Sequence, residues 1–279
     1  MKITTLSLWM AVVGSTLVGC SQGGVQSSAL GTLTPSNVTN LAGSPASVPV
    51  DTGTTPKAKT RALVYKGPGA CDEGCWQAAY DMAVRNGLSP TYVGPSDLNT
   101  VSTDSEKEAL FQDVAIWLQP GGVSSEVMGA MNNTMVSALK SFVNAGGAYV
   151  GFCAGAFSAT QYDGDSSILG YNLFPGLTTV FNDNNEADIL KGTWEGKERY
   201  FYWEGGPYLT NLPAGKAEPI AYYPTGQIAA ARSTYGNGKV FISGFHPEAP
   251  QYWRDYYGLT DPDGTDFDLV DEMIQWSTH

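Results

Sequence analysis

The chain has 279 residues, of which 42% are hydrophobic, and its 27 acidic and 15 basic residues give a formal net charge of −12. This length and apolar content allow one large α/β domain or two small ones with a real hydrophobic core. The acidic surface repels phosphate backbones, which disfavours nucleic acid as a partner. After residue 20 no segment has the roughly 20 consecutive apolar residues that a membrane-spanning helix needs.

The first twenty residues have the pattern of a bacterial secretion signal. Lys2 supplies the positive charge, residues 6–13 are a short apolar stretch, and residues 17–20 resemble a lipobox, which is cleaved before a lipidated cysteine. We expect a signal peptide over residues 1–19 and lipidation of Cys20, which would anchor the protein on the extracytoplasmic side of a cell envelope. The alternative is an ordinary signal peptide with an incidental cysteine.

Residues 20–60 predict a flexible tether between this anchor and the folded part. They are rich in Ser, Thr, Gly and Pro and contain almost no aromatic residue. Such a segment buries too little apolar surface to offset the conformational entropy that it would lose on ordering. We therefore expect one folded domain, over residues 61–279.

Apolar runs that alternate with helical patterns predict an α/β fold for this domain. The predicted strands of its first half are 61–65, 91–93, 114–118 and 148–152. The predicted helices are 73–87, 104–112 (capped by Asp104 or Ser105) and 125–145. Because the strands are almost continuously apolar and helices separate them, we expect a mostly parallel sheet that is covered on both faces.

The second half of the domain has a different pattern. Residues 177–210 and 217–245 are rich in aromatic and β-branched residues separated by turn residues, which predicts appended antiparallel strands. Residues 266–277 predict a final helix. In the carboxylate-rich segment 261–268, Gly264 stands fourth rather than sixth as a calcium-binding EF-hand loop requires. A solvated turn that caps the last helix is therefore favoured over a calcium site.

Three aromatic clusters are candidates for either core or cleft. Residues 200–203, followed by Glu204–Gly206 and Tyr208, could line a substrate cleft or form the core of paired strands, and both interpretations stay open. For residues 222–223 and 252–257 we favour a position in the core.

The strongest motif follows the strand at 148–152. Residues Gly151–Gly155 have the G-x-C-x-G pattern of a nucleophile elbow, a strained turn between a strand and a helix. The two glycines relieve crowding there, and the N-terminus of the next helix favours the thiolate of Cys153. The N–H group of Ala154 can face a developing oxyanion. The alternative is that Cys153 is simply a small buried residue.

A nucleophilic thiolate needs a group that carries protons, and the chain contains two histidines. His279 is the last residue, whereas His246 follows an apolar strand and begins the sequence His-Pro-Glu. Residues i and i+2 of an extended chain point to the same side, so Glu248 can orient the imidazole and stabilise its charged form. We predict Cys153 as nucleophile, His246 as base and Glu248 as orienting carboxylate. The alternative for each is a structural role.

These motifs resemble those of class I glutamine amidotransferases, which have a G-x-C-x-G elbow and, late in the domain, an H-P-E sequence. Further segments make the chain similar to the N-terminal amidotransferase-like domain of eukaryotic biotin-protein ligases, and they occur in the same order: 64–69, 120–122, 151–155, 202–206 and 244–248. The resemblance implies a flavodoxin-like, doubly wound sheet. It also implies that Gly121 and Gly122 form an oxyanion-hole loop near Cys153.

The resemblance does not carry the activity of whole biotin-protein ligases, and we expect neither biotin-ligase activity nor an ATP-dependent synthetase activity. The main hypothesis is a thiol hydrolase of the cell envelope that acts on a small amide or peptide, with Gly122 and Ala154 as oxyanion donors. The alternatives are a non-catalytic ligand-binding or regulatory module and an assembly partner of another envelope protein. We expect no cofactor.

Cys71 and Cys75 follow the turn at residues 67–69. In an oxidising compartment they can form a disulfide, but the short spacing is restrictive and two free thiols stay an open alternative. A disulfide across so small a loop would mainly fix the turn. No partner ligands lie near these cysteines in the sequence, so we predict no metal site.

Overall fold

The computed structural model describes residues 58–71, 74–98, 100–161 and 169–279. The predicted signal peptide over 1–19, the lipidation of Cys20 and nearly all of the tether over 20–60 lie outside the described residues. The described residues belong to one compact unit, Thr55–His279. Within them, no helix is long and apolar enough to cross a lipid bilayer.

Strands and helices alternate in the first half of the unit, and strands dominate the second half. The strands are β1 (Arg61–Tyr65), β2 (Ser89–Val93), β3 (Val114–Gln119), β4 (Ala148–Phe152), β5 (Leu177–Val180), β6 (Asp188–Trp194), β7 (Lys197–Trp203), β8 (Pro207–Thr210), β9 (Ala217–Tyr222), β10 (Ile228–Tyr235) and β11 (Gly238–Ser243). The helices are α1 (Cys75–Arg85), α2 (Pro95–Leu98), α3 (Asp104–Phe111), α4 (Ser124–Ala130), α5 (Asn133–Asn144), α6 (Ala154–Ala159), α7 (Gln251–Tyr257) and α8 (Phe267–Thr278).

The strands form one mixed sheet in the order β2-β1-β3-β4-β11-β10-β9-β6-β7, with β8 and β5 added beside β10. The strands from β2 to β11 are parallel, and all pairs beyond β11 are antiparallel. The predicted α/β class and the appended antiparallel strands are therefore confirmed. The expectation of a mostly parallel sheet holds only for the half from β2 to β11. The appended antiparallel strands make up the other half.

Helices cover both faces of the parallel half. Side chains of α1 and α8 pack against one face of β1, β3 and β4, and those of α4 and α5 pack against the other. The last four residues of β1 and all of β3 are buried. This explains their continuous apolar sequences, since each fully buried Val, Leu or Ile side chain contributes about 1.5–3 kcal/mol.

Several helix boundaries differ from the prediction. The segment 125–145 contains two helices, because α5 starts anew after Asn132, whose side chain accepts a hydrogen bond from the N–H group of Met135 at 2.9 Å. Helix α1 is shorter than 73–87. The cap of α3 is Thr103 rather than Asp104 or Ser105, and Thr103 and Glu106 form a capping box.

The segment 261–268 is only partly the predicted solvated turn, because residues 262, 263 and 268 are exposed and the side chains of Asp261 and Asp266 are buried. Asp266 stands at the N-cap of α8 without a capping hydrogen bond and is buried, and it lies 3.6 Å from the guanidinium of Arg254. Arg254 is itself fully buried and donates to Asp261 at 2.7 Å. A buried arginine thus gathers these carboxylates. No group of three or more acidic, His or Cys residues suited to a metal ion occurs in the described part of the chain.

Candidate active site

Three sequence motifs lie at one edge of the sheet: the elbow at 151–155, the His-Pro-Glu sequence at 246–248 and the glycine pair at 121–122. Strands β4 and β11 are parallel neighbours whose register pairs Phe152 with Ser243. Cys153 follows the first strand directly and His246 follows the second after two residues. Because the carboxyl ends of parallel strands meet at the same edge, this register brings the cysteine and the histidine together.

Cys153 lies on a strained turn of the backbone. Its φ of 48° and ψ of −104° are outside the regions that side-chain-bearing residues ordinarily occupy. The turn also requires its glycines: a Cβ atom on Gly151 would lie 2.5 Å from the carbonyl oxygen of Gly155, and one on Gly155 would collide with the carbonyl oxygen of Gln119. The local geometry is that of a nucleophile elbow.

His246 and Glu248 form a buried pair. The Nδ1 atom of His246 lies 2.8 Å from Oε1 of Glu248, and both side chains are almost completely inaccessible to solvent. The ring of His246 is also enclosed by the rings of Tyr202 and Trp253, at centroid distances of 5.9 and 5.7 Å. These contacts fix the position and the rotation of the imidazole.

The surroundings of His246 favour its protonated form. Burial by itself lowers the pKa of His246, but the charge of Glu248 and the hydrogen bonds with Cys153 and Glu248 outweigh it and hold the pKa well above its ordinary value. The second nitrogen, Nε2, lies 3.4 Å from the carbonyl oxygen of Glu204. Both nitrogens therefore face oxygen acceptors, which only the imidazolium satisfies with two N–H donors.

The carbonyl oxygen of Glu204 also contacts the sulfur. The Sγ atom of Cys153 lies 3.5 Å from this oxygen, which His246 approaches as well. Cys153 is only 5% exposed. The sulfur, the imidazole and this carbonyl thus meet at one point, which requires the loop after β7 to lie against the end of β4.

Gly121 and Gly122 lie beside this point. A Cβ atom on Gly121 would be 2.6 Å from Cε1 of His246 and 3.4 Å from Cβ of Cys153. The N–H of Cys71 donates to the carbonyl of Gly121 and that of Val123 donates to the carbonyl of Gly69. In this antiparallel bridge the N–H group of Gly122 points away from the segment 69–71. Gly122 lines the same cavity as Cys153.

Ala154 is the first residue of α6, so its N–H group has no acceptor within that helix. The residue is fully buried and directly follows the cysteine. The candidate oxyanion donors, Gly122 and Ala154, therefore belong to the segments on either side of the sulfur.

A cavity of about 550 Å³ opens next to Cys153, and a volume of this size suits a small organic ligand. Its described walls include Tyr202, Glu204, Trp253 and three tyrosines of α7. These three, Tyr252, Tyr256 and Tyr257, are 52%, 77% and 45% exposed, and we call them the tyrosine rim. The core position that the sequence favoured for residues 252–257 is therefore wrong for the tyrosine rim, although it holds for Trp253.

Cys71 and Cys75 form a disulfide, and both residues line this cavity. Their Cα atoms are 5.5 Å apart. Cys153 is the free cysteine of the described residues. The disulfide joins the start of α1 to Cys71, two residues after the turn at 67–69, and it thereby fixes one part of the cavity wall.

The sequence placed Glu204 in a segment that could line a cleft but assigned no role to its carboxylate, and Glu204 does line the cavity. Its carboxylate accepts hydrogen bonds from the hydroxyl groups of Tyr202 and Tyr257, at 2.7 and 3.0 Å. The segment 202–206 stands out in the sequence for its aromatic residues and its resemblance, and the charged residue in the middle of that segment is the signal that could have found it.

Comparisons with known proteins agree with part of this description. The family model described as "Biotin-protein ligase, N terminal" matches residues 60–163, which include Cys153 but neither His246 nor Glu248. A biotin–protein ligase of Schizosaccharomyces pombe is 27% identical over 169 residues, which cover 51% of this chain and 27% of the ligase. The match thus spans about a quarter of that relative.

Solved structures resemble the chain in fold. A cytoplasmic protein of Salmonella typhimurium LT2 has a TM-score of 0.51 at 10% identity, and the match covers 79% of this chain and all of that one (100%). A second cytoplasmic protein of Salmonella typhimurium has a TM-score of 0.50, also at 10% identity, over 79% and 99% of the two chains. The chain is therefore similar to the N-terminal domain of biotin-protein ligase over residues 60–163, within an α/β fold that distant proteins share.

Proposed function

We propose that this protein is a thiol hydrolase that cleaves an amide bond of a small molecule or peptide. The observation that carries the proposal is the buried contact between His246 and Glu248 beside Cys153, which lies on a strained elbow next to a cavity. The proposal includes a flavodoxin-like, doubly wound arrangement of the parallel half. It also includes a lipid anchor at Cys20 and a location in the bacterial cell envelope, which rest on the N-terminal sequence.

In the proposed reaction the thiolate of Cys153 attacks the carbonyl carbon of the amide. A carbon–sulfur bond forms, and the carbonyl oxygen gains the negative charge that the N–H groups of Gly122 and Ala154 would stabilise. His246 then donates its proton to the leaving nitrogen, and the carbon–nitrogen bond breaks to give a thioester. Glu248 keeps the imidazole oriented throughout.

Water completes the cycle. His246, now neutral, removes a proton from a water molecule, which attacks the thioester carbonyl. The carbon–sulfur bond breaks, the carboxylic acid product leaves, and the thiolate and imidazolium are restored. The bonds made and broken balance as the hydrolysis of one amide to one acid and one amine or ammonia.

The experiment that tests this proposal is acylation of Cys153 by candidate amides. The full chain is incubated with a panel of glutamine-like amides and short peptides, and the peptide that contains Cys153 is analysed by mass spectrometry after an acid quench. We expect thioester formation together with release of amine or ammonia, and loss of both in Cys153→Ser. Acylation that persists in Cys153→Ser, or amine release that does not require Cys153, would contradict the proposal.

A second candidate is a binding or regulatory module without turnover. The observation that favours it is the low exposure of Cys153, whose sulfur faces the carbonyl oxygen of Glu204 at 3.5 Å. In that case a ligand would fill the cavity without reacting. Binding of a cavity ligand that is unchanged in Cys153→Ser, combined with an unreactive thiol in the wild type, would favour this candidate over the hydrolase.

A further inference from the structure

We propose that the substrate carries a positively charged group, an ammonium or another organic cation, which binds beside Glu204 next to the cleaved bond. This inference rests on the proposed hydrolase function, because it names the substrate class of the same site. Its basis is the distribution of charge and of aromatic rings around the cavity.

The charge around the cavity is negative. Among its described lining residues there is no lysine or arginine, and Glu204 is the only carboxylate that lines it. The proton shared between Cys153 and His246 does not alter this balance, because a thiolate with an imidazolium and a thiol with a neutral imidazole both sum to zero. Glu204 on the wall and Glu248 behind the imidazole therefore leave an excess of negative charge.

The carboxylate of Glu204 is held in place by neutral donors. Tyr202 and Tyr257 each donate one hydroxyl hydrogen bond, to Oε2 and Oε1 respectively. A carboxylate has about four acceptor sites, so two hydroxyl donors leave room for a further donor and leave its charge uncompensated. A cation of the substrate would complete this arrangement.

The guanidinium of Arg254 lies near Tyr202, one of the two tyrosines that donate to Glu204. The guanidinium stacks on the ring of Tyr202 at 5.7 Å. It is already paired with Asp261 at 2.7 Å and donates to the carbonyl of Ala249 at 2.9 Å. The positive charge of Arg254 is thus balanced by Asp261 rather than by Glu204. Arg254 is fully buried and is not part of the described cavity wall.

Aromatic side chains line the same cavity as Glu204. Tyr202, Trp253 and the tyrosine rim all line it. The electron-rich faces of tyrosine and tryptophan attract organic cations, and aromatic walls with one carboxylate are the usual binding site for ammonium groups. An anionic substrate would face both the rings and Glu204, and neither would stabilise it.

The position of Glu204 links this site to the reaction. Its carbonyl oxygen contacts both the sulfur of Cys153 and Nε2 of His246, and its side chain begins at the same residue. A cation bound to the carboxylate of Glu204 would therefore be separated from the sulfur of Cys153 by no more than the length of the glutamate side chain. The positive group is expected close to the amide carbonyl rather than at the far end of a long substrate.

The test uses three thiol reagents that differ in charge. Methyl methanethiosulfonate is neutral, the 2-(trimethylammonio)ethyl reagent is cationic, and the 2-sulfonatoethyl reagent is anionic. In each case the thiolate of Cys153 attacks the sulfenyl sulfur, a disulfide forms and methanesulfinate leaves. The rate is followed by mass spectrometry on the Cys153 peptide of the full chain, at about 0.15 M salt, where the Debye length is about 8 Å.

The measured quantity is the ratio of the cationic rate to the anionic rate, divided by the same ratio for a small neutral thiol. In wild type we expect this selectivity to exceed about tenfold, which is modest for a unit charge a few ångströms away in a partly buried site. Glu204→Gln, which keeps the size of the side chain, should lower it at least about fivefold, since the charge is removed.

The matched control is Glu198→Gln, which removes one negative charge from β7, six residues before Glu204. At about 3.3 Å per residue of extended chain this position is roughly 20 Å away, so the selectivity should stay within about twofold of wild type. An equal loss in both variants would mean that general surface charge causes the selectivity, and it would overturn the inference.

The outcomes separate this inference from the proposed function. The neutral reagent reports on the thiol alone, and its rate should depend on His246 whether or not a cation site exists. One outcome would overturn the inference of a cationic substrate and leave the proposed hydrolase unaffected. In it, the neutral reagent labels Cys153 rapidly, but the charge selectivity of wild type equals that of the small neutral thiol. This outcome is read from wild type alone, so it does not depend on whether Glu204→Gln folds. An unactivated thiol with the neutral reagent would instead overturn the proposed function.

Discussion

Nδ1 of His246 lies 2.8 Å from Oε1 of Glu248, and neither side chain has appreciable contact with solvent. The other carboxylate oxygen, Oε2, is buried without a hydrogen-bond partner in the described part of the chain. A buried carboxylate with one partner stabilises a positive charge on that partner strongly, because little else screens it. The pair therefore sets the protonation state of the candidate base.

Replacement of Glu248 by Gln should lower the pKa of His246. Burial lowers this pKa and the charge of Glu248 opposes it, so removal of the charge leaves burial dominant. The raised pKa also means that the imidazolium stabilises the fold below about pH 6.5, and that this contribution is lost as pH rises through the folded-state pKa. The NMR titration of the imidazole measures the change, and His279→Gln assigns the signal of the second histidine.

The control for this titration is Glu198→Gln, which removes an exposed carboxylate from β7. We expect the pKa of His246 to stay at its wild-type value in that variant. If Glu248→Gln also left the pKa of His246 unchanged, the electrostatic role assigned to Glu248 would be wrong.

Gly121→Ala should uncouple Cys153 from His246. The new Cβ atom would lie 2.6 Å from Cε1 of His246, closer than real Cβ contacts come, so the imidazole must move. We expect the alkylation rate of Cys153 at about pH 6 to fall toward that of an ordinary thiol, by about tenfold or more. The rate of iodoacetamide labelling, with circular dichroism to monitor folding, measures this effect.

Gly129→Ala is the matched control for that substitution. Gly129 lies within α4, and a Cβ atom there would meet nothing within 4 Å. A glycine-to-alanine change in an unstrained helix stabilises a protein by about 0.4–1 kcal/mol and should leave Cys153 unaffected. Loss of thiol reactivity in both variants would show that the effect of Gly121→Ala is not specific to the site.

Asp266 should make the fold less stable as the pH rises toward neutrality. Burial raises the pKa of Asp266 to about 7, against the opposing charges of Arg199 and Arg254. Because the folded-state pKa is raised, its contribution is fully present below about pH 4 and is lost as pH rises through about 7. Between about pH 5 and pH 8 wild type should lose on the order of 2–3 kcal/mol relative to Asp266→Asn, as measured by urea unfolding.

Asp268 provides the comparison for this pH series. It also pairs with Arg199, at 2.6 Å, but it is well exposed, and its hydrogen bond with Arg199 lowers its pKa. Its contribution is present at neutral pH and is lost only as pH falls through that lowered pKa. Asp268→Asn should therefore keep the wild-type dependence over the same pH range, and a flat profile in this variant would refute the assignment to Asp266.

Arg254→Met should destabilise the fold strongly. Arg254 is fully buried, and its removal leaves the buried carboxylate of Asp261 and the carbonyl of Ala249 without their donor. Breaking a buried ion pair by removing one partner costs about 3–5 kcal/mol. The exposed pair between Arg85 and Asp271 offers the contrast, since Arg85→Met should hardly move the unfolding midpoint. Similar losses in both variants would contradict the role of burial.

The parallel half of the sheet and the position of its motifs could be predicted from the sequence for a simple reason. Strands that are buried on both faces are continuous apolar runs, so β1, β3 and β4 are visible as such. Their carboxyl ends meet at one edge of the sheet, and the structure adds that β3 and β4 are adjacent, which makes the residues after them neighbours. The close approach of Gly121 to Cys153 follows from this topology.

The environment of the sulfur could not be predicted in the same way. The carbonyl of Glu204 reaches Cys153 because the N–H of His246 donates to the carbonyl of Tyr202 at 2.9 Å, which joins the end of β7 to the segment after β11, distant in the sequence. No local pattern encodes such a contact. Aromatic residues of α7 suggested a core position, whereas the tyrosine rim is exposed because only one side of this short helix faces the protein.

The pH dependence of Cys153 alkylation tests the central claim most directly. The full chain is labelled with iodoacetamide in non-reducing buffer, where Cys71 and Cys75 are joined, and the rate is followed on the Cys153 peptide for wild type and His246→Ala. An activated pair predicts rapid labelling well below the ordinary thiol pKa of about 8.5, and loss of this reactivity in the variant. Labelling that follows an ordinary thiol and is indifferent to His246 would contradict the account and leave a ligand-binding module.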